Sequence, residues 1–221
     1  VTFPSVLVNA NTGIAAGMAS SICPFNLKEV CETTIAYIKD DSINVADTLL
    51  APDFPIGGKL LYNRADMERI YETGRGGFKV RGVYTYDKSA NCIEITEIPP
   101  TTTTEAIIEK VVELAKAKKI TEINDIRDET DLKGLKIAID LKRGVDPDKL
   151  MNRLFKLTTL QDTFSCNFNI LIAGTPKVMG VKEILTEWIA FRFECIRRRV
   201  YFSLNKAKER LHLLKGLEKI L

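Results

Sequence analysis

Histidine and closely spaced cysteines are what this sequence most clearly lacks. Its 221 residues include one histidine, His212, so histidine-based zinc sites and Ser-His triads are poorly supported. The five cysteines, at positions 23, 31, 92, 166 and 195, are never closer than eight residues and form no Cys-x-x-Cys pair. An odd number of cysteines without a spacing pattern is typical of reduced thiols, from which we expect a cytoplasmic protein.

Three further absences narrow the fold. No apolar run is long enough to span a bilayer, and no signal-peptide pattern opens the chain. No Gly-x-Gly-x-x-Gly or Walker-type lysine loop follows a predicted strand, which argues against a doubly wound nucleotide-binding fold. There is also no initiator methionine, and the chain starts and stops within patterned segments, so we expect a piece of a longer protein.

The charge is unevenly distributed along the chain. The hydrophobic content of 45% suffices for one large or two small domains, and a net charge of +3 does not by itself indicate a nucleic-acid binder. Residues 94–131, however, carry ten acids against five bases, whereas residues 192–221 carry nine bases against three acids. This uneven distribution of charge is a better indication of a polyanionic partner than the net charge is.

The hydrophobic periodicity predicts an α+β fold. Residues 1–8 are expected to be extended. Helices are predicted at 28–39, 64–72, 105–118 and 148–157, and strands at 79–87, 92–98, 120–126, 135–141 and 164–173. The order β-β-α-β-β-α-β from residue 79 favours hairpins in one sheet with both helices on one of its faces.

A long helix is predicted from Val181 to the end of the chain. From Val200 its apolar residues recur in steps of three and four, which is close to the seam of a coiled coil. Three successive arginines, at 197–199, place charge all around one turn and are typical of a solvated helix face.

Residues 11–27 form a small, apolar block that is interrupted by glycine. Gly13 and Gly17 permit close backbone approach or a positive φ, and Asn26 is placed to cap the helix that follows. Because the block is poor in charge, one interpretation is a tight, buried turn in which Ile14 is a core residue.

Two charged groups are candidate sites. Five bases, Lys59, Arg64, Arg75, Lys79 and Arg81, could form a strip that contacts phosphates, or they could be a solvated surface of mixed charge. Four acids, Asp125, Asp128, Glu129 and Asp131, could be proposed as a magnesium site. For the acids we favour an exposed loop that is neutralised in part by Arg127.

Several motifs resemble the A subunit of bacterial type IIA DNA topoisomerases, the family of DNA gyrase and topoisomerase IV. Residues 12–19, Thr-Gly-Ile-Ala-Ala-Gly-Met-Ala, resemble that family's Ser-Gly-Ile-Ala-Val-Gly-Met-Ala. Residues 71–76, Tyr-Glu-Thr-Gly-Arg-Gly, match its sequence almost residue for residue, and residues 52–58 and 204–217 follow it closely. The resemblance runs through essentially all 221 residues in the family's order.

The resemblance implies a DNA-binding and DNA-bending role. It implies that Ile14 inserts between base pairs of a duplex. The DNA-contacting residues expected on this basis are Thr12, Gly13, Ile14, Asn26, Lys59, Arg64, Arg75, Lys79 and Arg81. It further implies three parts: the end of a winged-helix region at 1–76, a tower domain at 77–176, and the start of a coiled coil at 177–221.

The family's chemistry is a reversible phosphotyrosine link to DNA, which changes DNA topology by transient double-strand cleavage. None of the six tyrosines here follows an arginine as the family's nucleophile does, so no catalytic, cofactor-binding or metal-binding residue is expected in this piece. By resemblance, Mg²⁺ and ATP act through a separate B subunit. The expected partners are double-stranded DNA, a second copy of the full-length chain, and the B subunit, in an A2B2 complex associated with the cytoplasmic nucleoid.

The sequence also departs from the family. Phe25 stands in place of its usual His, Cys23 in place of a Pro, and Ala16 in place of a Val. Residues 100–104, Pro-Thr-Thr-Thr-Thr, replace a segment that carries a Lys. These differences leave gyrase versus topoisomerase IV open, and they leave a second class open, a non-catalytic DNA-binding or architectural protein of related fold.

Overall fold

Two large antiparallel sheets, a separate two-stranded hairpin and a long C-terminal helix form the computed structural model, which describes residues 1–220. The helices are α1 Ser5–Val8, α2 Leu27–Lys39, α3 Arg64–Thr73, α4 Thr104–Lys116, α5 Pro147–Leu157 and α6 Val181–Ile220, with a 3-10 turn at Val45–Asp47. The strands are β1 Asn11–Ala15, β2 Met18–Ile22, β3 Lys59–Leu61, β4 Arg75–Arg81, β5 Val83–Asp87, β6 Cys92–Glu97, β7 Ile123–Asp128, β8 Ile137–Leu141, β9 Gln161–Asn167, β10 Asn169–Ile172 and β11 Thr175–Val178.

The first sheet joins segments that are far apart in sequence. Its strand order is β1-β2-β9-β4-β3, so β9, from late in the chain, lies between strands from the first 81 residues. β4 and β9 pair along their whole length, from Arg75 opposite Asn167 to Arg81 opposite Gln161. One side of this sheet packs on a first core that includes Phe25, Val80, Phe164 and the start of α6.

The second sheet has the order β5-β6-β8-β7 and carries α4 and α5 on one face. Its inward side chains are mostly isoleucines, among them Ile93, Ile95, Ile137 and Ile139, which are fully buried. Branched aliphatic side chains fit a pleated, half-buried surface well. The α+β class, the β-β-α-β-β-α-β order, read from β5 to β9, and the long C-terminal helix predicted from the sequence are confirmed. The expectation that the strands of this order share one sheet is wrong, because β9 lies in the first sheet.

Three predicted elements differ from the structure. The predicted strand 79–87 is two strands in different sheets, because the chain turns from one sheet to the other at Gly82. The predicted strand 164–173 is likewise divided, at the buried Phe168. Residues 5–8 form one helical turn, α1, whose Leu7 is buried in the first core, and the prediction of an extended segment there is wrong.

The two hydrophobic cores also divide the chain differently from the expected parts. The second core takes residues between Ile93 and Leu160, whereas the first core takes residues on both sides of that segment. The expected boundary after residue 76 lies inside β4, and the expected boundary after residue 176 lies inside β11.

The C-terminal helix α6 has 40 residues and is therefore about 60 Å long. Val181, Ile184 and Leu185 anchor its first turns in the first core. Farther along, its apolar side chains are exposed, as at Val200, Leu204 and Leu211. A coiled coil there stays a prediction. Among residues 1–220, no helix combines the length and the apolar character needed to cross a membrane.

Candidate nucleic-acid interface

The outward face of the first sheet is basic. Phe78 and Val80 of β4 are buried, so the alternating residues Arg75, Lys79 and Arg81 point to the opposite, solvent side. The register places Lys59 of β3 directly opposite Arg81 and therefore on the same face. Four of the five bases of the predicted strip are thus brought together.

Small polar side chains complete this face. Phe164 and Cys166 of β9 are buried, so the residues between and beside them, Gln161, Thr163, Ser165 and Asn167, face outward beside β4. Ser21 of β2 and Thr12 of β1 continue the same row. No Asp or Glu lies among the residues on this face of the strands described for the first sheet. We call this surface, from Lys59 on β3 to Thr12 and Ile14 on β1, the basic face.

Ile14 stands at the far edge of the basic face. It lies on β1 opposite Ala19, in a hairpin that turns at Ala16 and Gly17, where Gly17 has a φ of 80°. All five β1 residues are exposed, and Ile14 is 95% exposed. The interpretation of a buried turn is therefore wrong for the hairpin and for Ile14, whereas Ile22, Cys23 and Phe25 of the same block are buried in the first core. An isoleucine this exposed contributes almost nothing to the described core.

Two amides attach this hairpin to the rest of the sheet. The side-chain amides of Asn167 and Asn169 donate hydrogen bonds to the carbonyl oxygen of Ala19, at 2.8 and 3.2 Å. At Gly13, by contrast, an added Cβ would have no atom of the chain within 4 Å. The space beside Gly13 is therefore open to a ligand and is not required by internal packing.

Arg64 is separated from the other predicted bases. It lies in the first turn of α3, where its Nη2 is 2.6 Å from Asp47 and its Nε is 2.9 Å from Glu68. These carboxylates raise the pKa of Arg64. Because Nε and Nη2 already pair with carboxylates, the structure gives no support to the predicted phosphate contact of Arg64.

Asn26 and Arg81 also have partners within the chain. The Asn26 side chain accepts a hydrogen bond from the Lys28 backbone N–H at 3.0 Å and so caps α2 as predicted, and it donates to Asp53 at 3.2 Å. The Arg81 guanidinium donates twice to Oε1 of Gln161, from Nε at 2.8 Å and from Nη2 at 2.6 Å. Lys59, Arg75 and Lys79 are exposed and form no ion pair within residues 1–220.

Of the four predicted acids, Asp125 and Glu129 lie around Arg127, and Asp140 of β8 joins them. The Arg127 guanidinium lies 2.9 Å from Asp125, 3.3 Å from Glu129 and 2.5 Å from Asp140. Hydrogen bonds to these carboxylates, that to Asp140 above all, raise the pKa of Arg127. In the described part of the chain no group of three His, Cys, Asp or Glu side chains is placed to hold a metal, and the cation these acids bind is an arginine.

The other two predicted acids, Asp128 and Asp131, instead accept hydrogen bonds from the backbone N–H groups of Thr130 and Lys133. Asp125 and Asp128 belong to β7, so the prediction of a loop there is only partly right.

Tyr71 and Tyr84 lie in environments that are unsuited to nucleophilic attack. Burial raises the pKa of Tyr71, whose hydroxyl is buried without a hydrogen-bond partner. Tyr84 is hydrogen-bonded to Asp148 at 2.7 Å, and its partial burial and this carboxylate raise its pKa to about 12. A phenol becomes a better nucleophile when a base or a cation lowers its pKa, which is the opposite environment.

Sequence reasoning missed the contribution of β9 to the basic face. The signal was available: from Gln161 to Asn167 polar residues alternate with Phe164 and Cys166, a pattern typical of a strand with one solvated side. The sequence does not show that β9 pairs with β4, because β4 lies about 80 residues earlier in the chain.

Comparison with known proteins gives a consistent result. The family of the DNA gyrase/topoisomerase IV A subunit matches residues 1–221. The A subunit of DNA gyrase from Borreliella burgdorferi is 40% identical over 222 residues, which cover 98% of this chain and 27% of that protein. Its counterpart from Ureaplasma parvum is 40% identical over 97% of this chain and 26% of its own length.

A plant relative extends this range. The chloroplastic/mitochondrial A subunit of DNA gyrase from Arabidopsis thaliana is 40% identical over 97% of this chain and 23% of its own length. The chain thus spans about a quarter of the length of the curated relatives it matches. On the basis of the family match over every residue, the chain belongs to the family of the DNA gyrase/topoisomerase IV A subunit.

Proposed function

We propose that this chain is the DNA-binding and DNA-bending part of the breakage-reunion subunit of an ATP-dependent type IIA DNA topoisomerase. The observation that carries the proposal is the basic face, which runs without an acid from Lys59 to the exposed Ile14. Family membership favours this role over a purely architectural protein.

The basic face binds the sugar-phosphate backbone. Lys59, Arg75 and Lys79 are free to pair with phosphates, and the hydroxyls of Thr163 and Ser165 between them are hydrogen-bond donors of suitable size. Such contacts hold a duplex in place and carry no sequence information, so binding is sequence-tolerant and weakens steeply with salt.

Ile14 acts as a wedge at one edge of the face. An apolar side chain between two base pairs costs a few kcal/mol of unstacking, which is offset when the bent duplex contacts more of the protein. Because Ile14 is β-branched its χ1 is stiff, and its side chain is 95% exposed on the same face as Thr12, where the groove of a duplex can reach it. The chain thus bends the segment that the enzyme cleaves.

The remaining functions are supplied by other parts of the enzyme. The nucleophilic tyrosine belongs to a segment of the full-length chain outside residues 1–221, and Mg²⁺ and ATP act through the B subunit. The working assembly is an A2B2 complex in which two full-length chains pair and enclose double-stranded DNA in the cytoplasm, at the nucleoid. The family description covers both gyrase and topoisomerase IV, and the proposal applies to either.

Replacement of Ile14 by alanine tests the proposal in the full-length protein. The matched control is Leu132→Ala, because Leu132 is equally exposed but lies in the loop between β7 and β8 of the second sheet. DNA bending is measured by energy transfer between dyes at the two ends of a duplex of about 30 base pairs. The bends that inserted side chains produce are about 20–90°.

We expect Ile14→Ala to leave the melting temperature nearly unchanged, to reduce bending by the full-length protein strongly, and to reduce strand passage by its complex with the B subunit. Leu132→Ala should change none of the three quantities. Normal bending by Ile14→Ala, or a large fall in its melting temperature, would show that the wedge is wrongly assigned.

A further inference from the structure

The two sheets meet at a narrow junction. Their hydrophobic cores have no residue in common, and the chain passes between them at Gly82 and at Leu160. The Gly82 backbone N–H donates to the carbonyl oxygen of Leu160 at 2.8 Å. A Cβ at Gly82 would lie 2.9 Å from the carbonyl oxygen of Glu97, so a glycine lets this pass lie close to the end of β6.

Arg81 spans this junction from the first sheet to the second core. It is the last residue of β4, and its guanidinium lies 4.6 Å from the centre of the Phe155 ring on α5. Phe155 is 6% exposed and belongs to the second core. The two hydrogen bonds to Gln161 fix the plane of the guanidinium, which favours stacking on an aromatic face.

The Phe155 ring, on which Arg81 stacks, is itself held in place. Tyr84 of β5 packs on Phe155, with the ring centroids 6.1 Å apart, and its hydroxyl donates to Asp148 on α5. A second connection runs parallel to the first, since the Glu97 carboxylate accepts a 2.5 Å hydrogen bond from the backbone N–H of Gly58. That residue directly precedes Lys59, so the second sheet also holds the start of β3.

These contacts support the edge of the basic face that lies opposite the wedge. Ile14 is on one edge strand and Lys59 on the other. They are four inter-strand spacings, or about 19 Å, apart across the sheet, and the registers offset them further by about eight residues along the strands. A duplex resists bending, so a protein that bends it must be stiffer than the DNA between the two contact points. If the β3–β4 edge moved under load, the duplex would stay straighter when Ile14 inserts into it.

We propose that Arg81 is a positioning residue for DNA bending, which braces the β3–β4 edge of the basic face against α5 through Phe155 and makes no phosphate contact of its own. The inference rests on the proposed function. It reassigns a base that the sequence places among the DNA contacts, and it gives the second sheet unit the role of a support.

Three substitutions remove the brace at different atoms while the charge at position 81 is kept. Arg81→Lys keeps the charge and loses the planar fork, Gln161→Met removes the acceptor that orients it, and Phe155→Leu removes the ring. Because Phe155 is a core residue, the first two variants, which are at half-buried surface positions, keep the test valid if the third does not fold. Lys79→Ala is the control for a lost phosphate contact.

The assay measures both the bend of a dye-labelled duplex and the salt dependence of binding in the full-length protein. Arg81→Lys and Gln161→Met should each reduce the bend by about 20° or more, within the known range of about 20–90°. Their double variant should lose no more than the larger single loss. Their salt slope should stay that of the wild type, whereas Lys79→Ala lowers it by about 0.9.

Two results would overturn the brace. Normal bending by both surface variants would do so. A further variant, Arg81→Ala, removes the charge, and a salt slope that falls by about 0.9 in it while Gln161→Met behaves as the wild type would also overturn the brace, because Arg81 would then contact phosphate directly. Failure of the wild-type protein to bend DNA is a different result, since it would reject the proposed function on which the brace rests.

Discussion

The outward faces of the two antiparallel sheets carry opposite charge. The basic face of the first sheet carries four bases and no acid, whereas the corresponding face of the second sheet carries five acids and two bases. The acids are Asp87, Glu94, Asp125, Glu129 and Asp140, and the bases are Arg127 and Lys136.

The pairing of these charges matters more than their number. On the second sheet both bases are neutralised within the chain, Arg127 by three carboxylates and Lys136 by Glu94 at 2.7 Å and Glu129 at 3.2 Å. On the basic face no base has a carboxylate partner among the described residues. Two faces of one fold thus show how a sheet is made to attract a polyanion or to exclude it.

The largest expected effect comes from removing the free bases. In the variant Lys59→Ala, Arg75→Ala, Lys79→Ala, we expect the log–log salt slope of DNA binding to fall by about 2.7, at about 0.9 for each lost phosphate contact. The measurement is the binding constant of a short duplex between about 50 and 200 mM salt.

The control removes the same charge from the second unit. Lys88, Lys133 and Lys142 are exposed and lie in loops beside the second sheet. Their triple alanine variant should keep the wild-type slope. Equal slopes in the two triple variants would mean that net charge, rather than the basic face, determines binding.

A smaller effect, on stability, is expected from removing Arg127 of the second sheet. Hydrogen bonds from Arg127 lower the pKa of Asp140, and Lys136 and Arg127 together lower that of Glu129. In unfolded chains the pKa values of Asp and Glu are about 3.9 and 4.3. Their stabilisation is therefore fully present above those values and is lost as the pH falls through the lower folded-state pKa values.

Arg127→Ala should consequently melt slightly earlier than the wild type at pH 7, and this difference should disappear as the pH falls below about 3. The effect is small because these side chains are largely exposed to solvent. Arg143→Ala, at an exposed turn, is the control and should show no such pH dependence. A difference that persists unchanged in acid would mean that Arg127 stabilises the sheet through packing and not through charge.

Local features of this fold could be predicted from the sequence. The helices are marked by periodicity and by caps: Asn26, Asn63, Thr103 and Asp146 each accept hydrogen bonds from the first turn of the helix that follows. The order of elements in the second sheet unit was predictable for the same reason, because hairpins and their helices follow one another along the chain.

Features that depend on distant contacts could not be predicted. The alternation of β4 continues without interruption through Gly82 into β5, and only the close approach of Leu160 and Glu97 explains the change of sheet there. Arg64 resembles the other bases in sequence, yet Asp47 binds it from a separate turn. Ile14 is apolar among small residues, and its exposure follows from the position of its hairpin at the sheet edge.

Cross-linking from matched threonines tests most directly whether the first sheet, and not the second, carries the DNA. Thr163 is exposed beside Lys79 on the basic face, and Thr85 is exposed beside Glu94 on the outward face of the second sheet. Each is replaced in turn by a photoreactive benzophenone amino acid in the full-length protein, which is irradiated with a radiolabelled duplex. We predict a covalent DNA adduct from position 163 that high salt abolishes, and no adduct from position 85. An adduct of equal or greater yield from position 85, or none from position 163, would contradict the account.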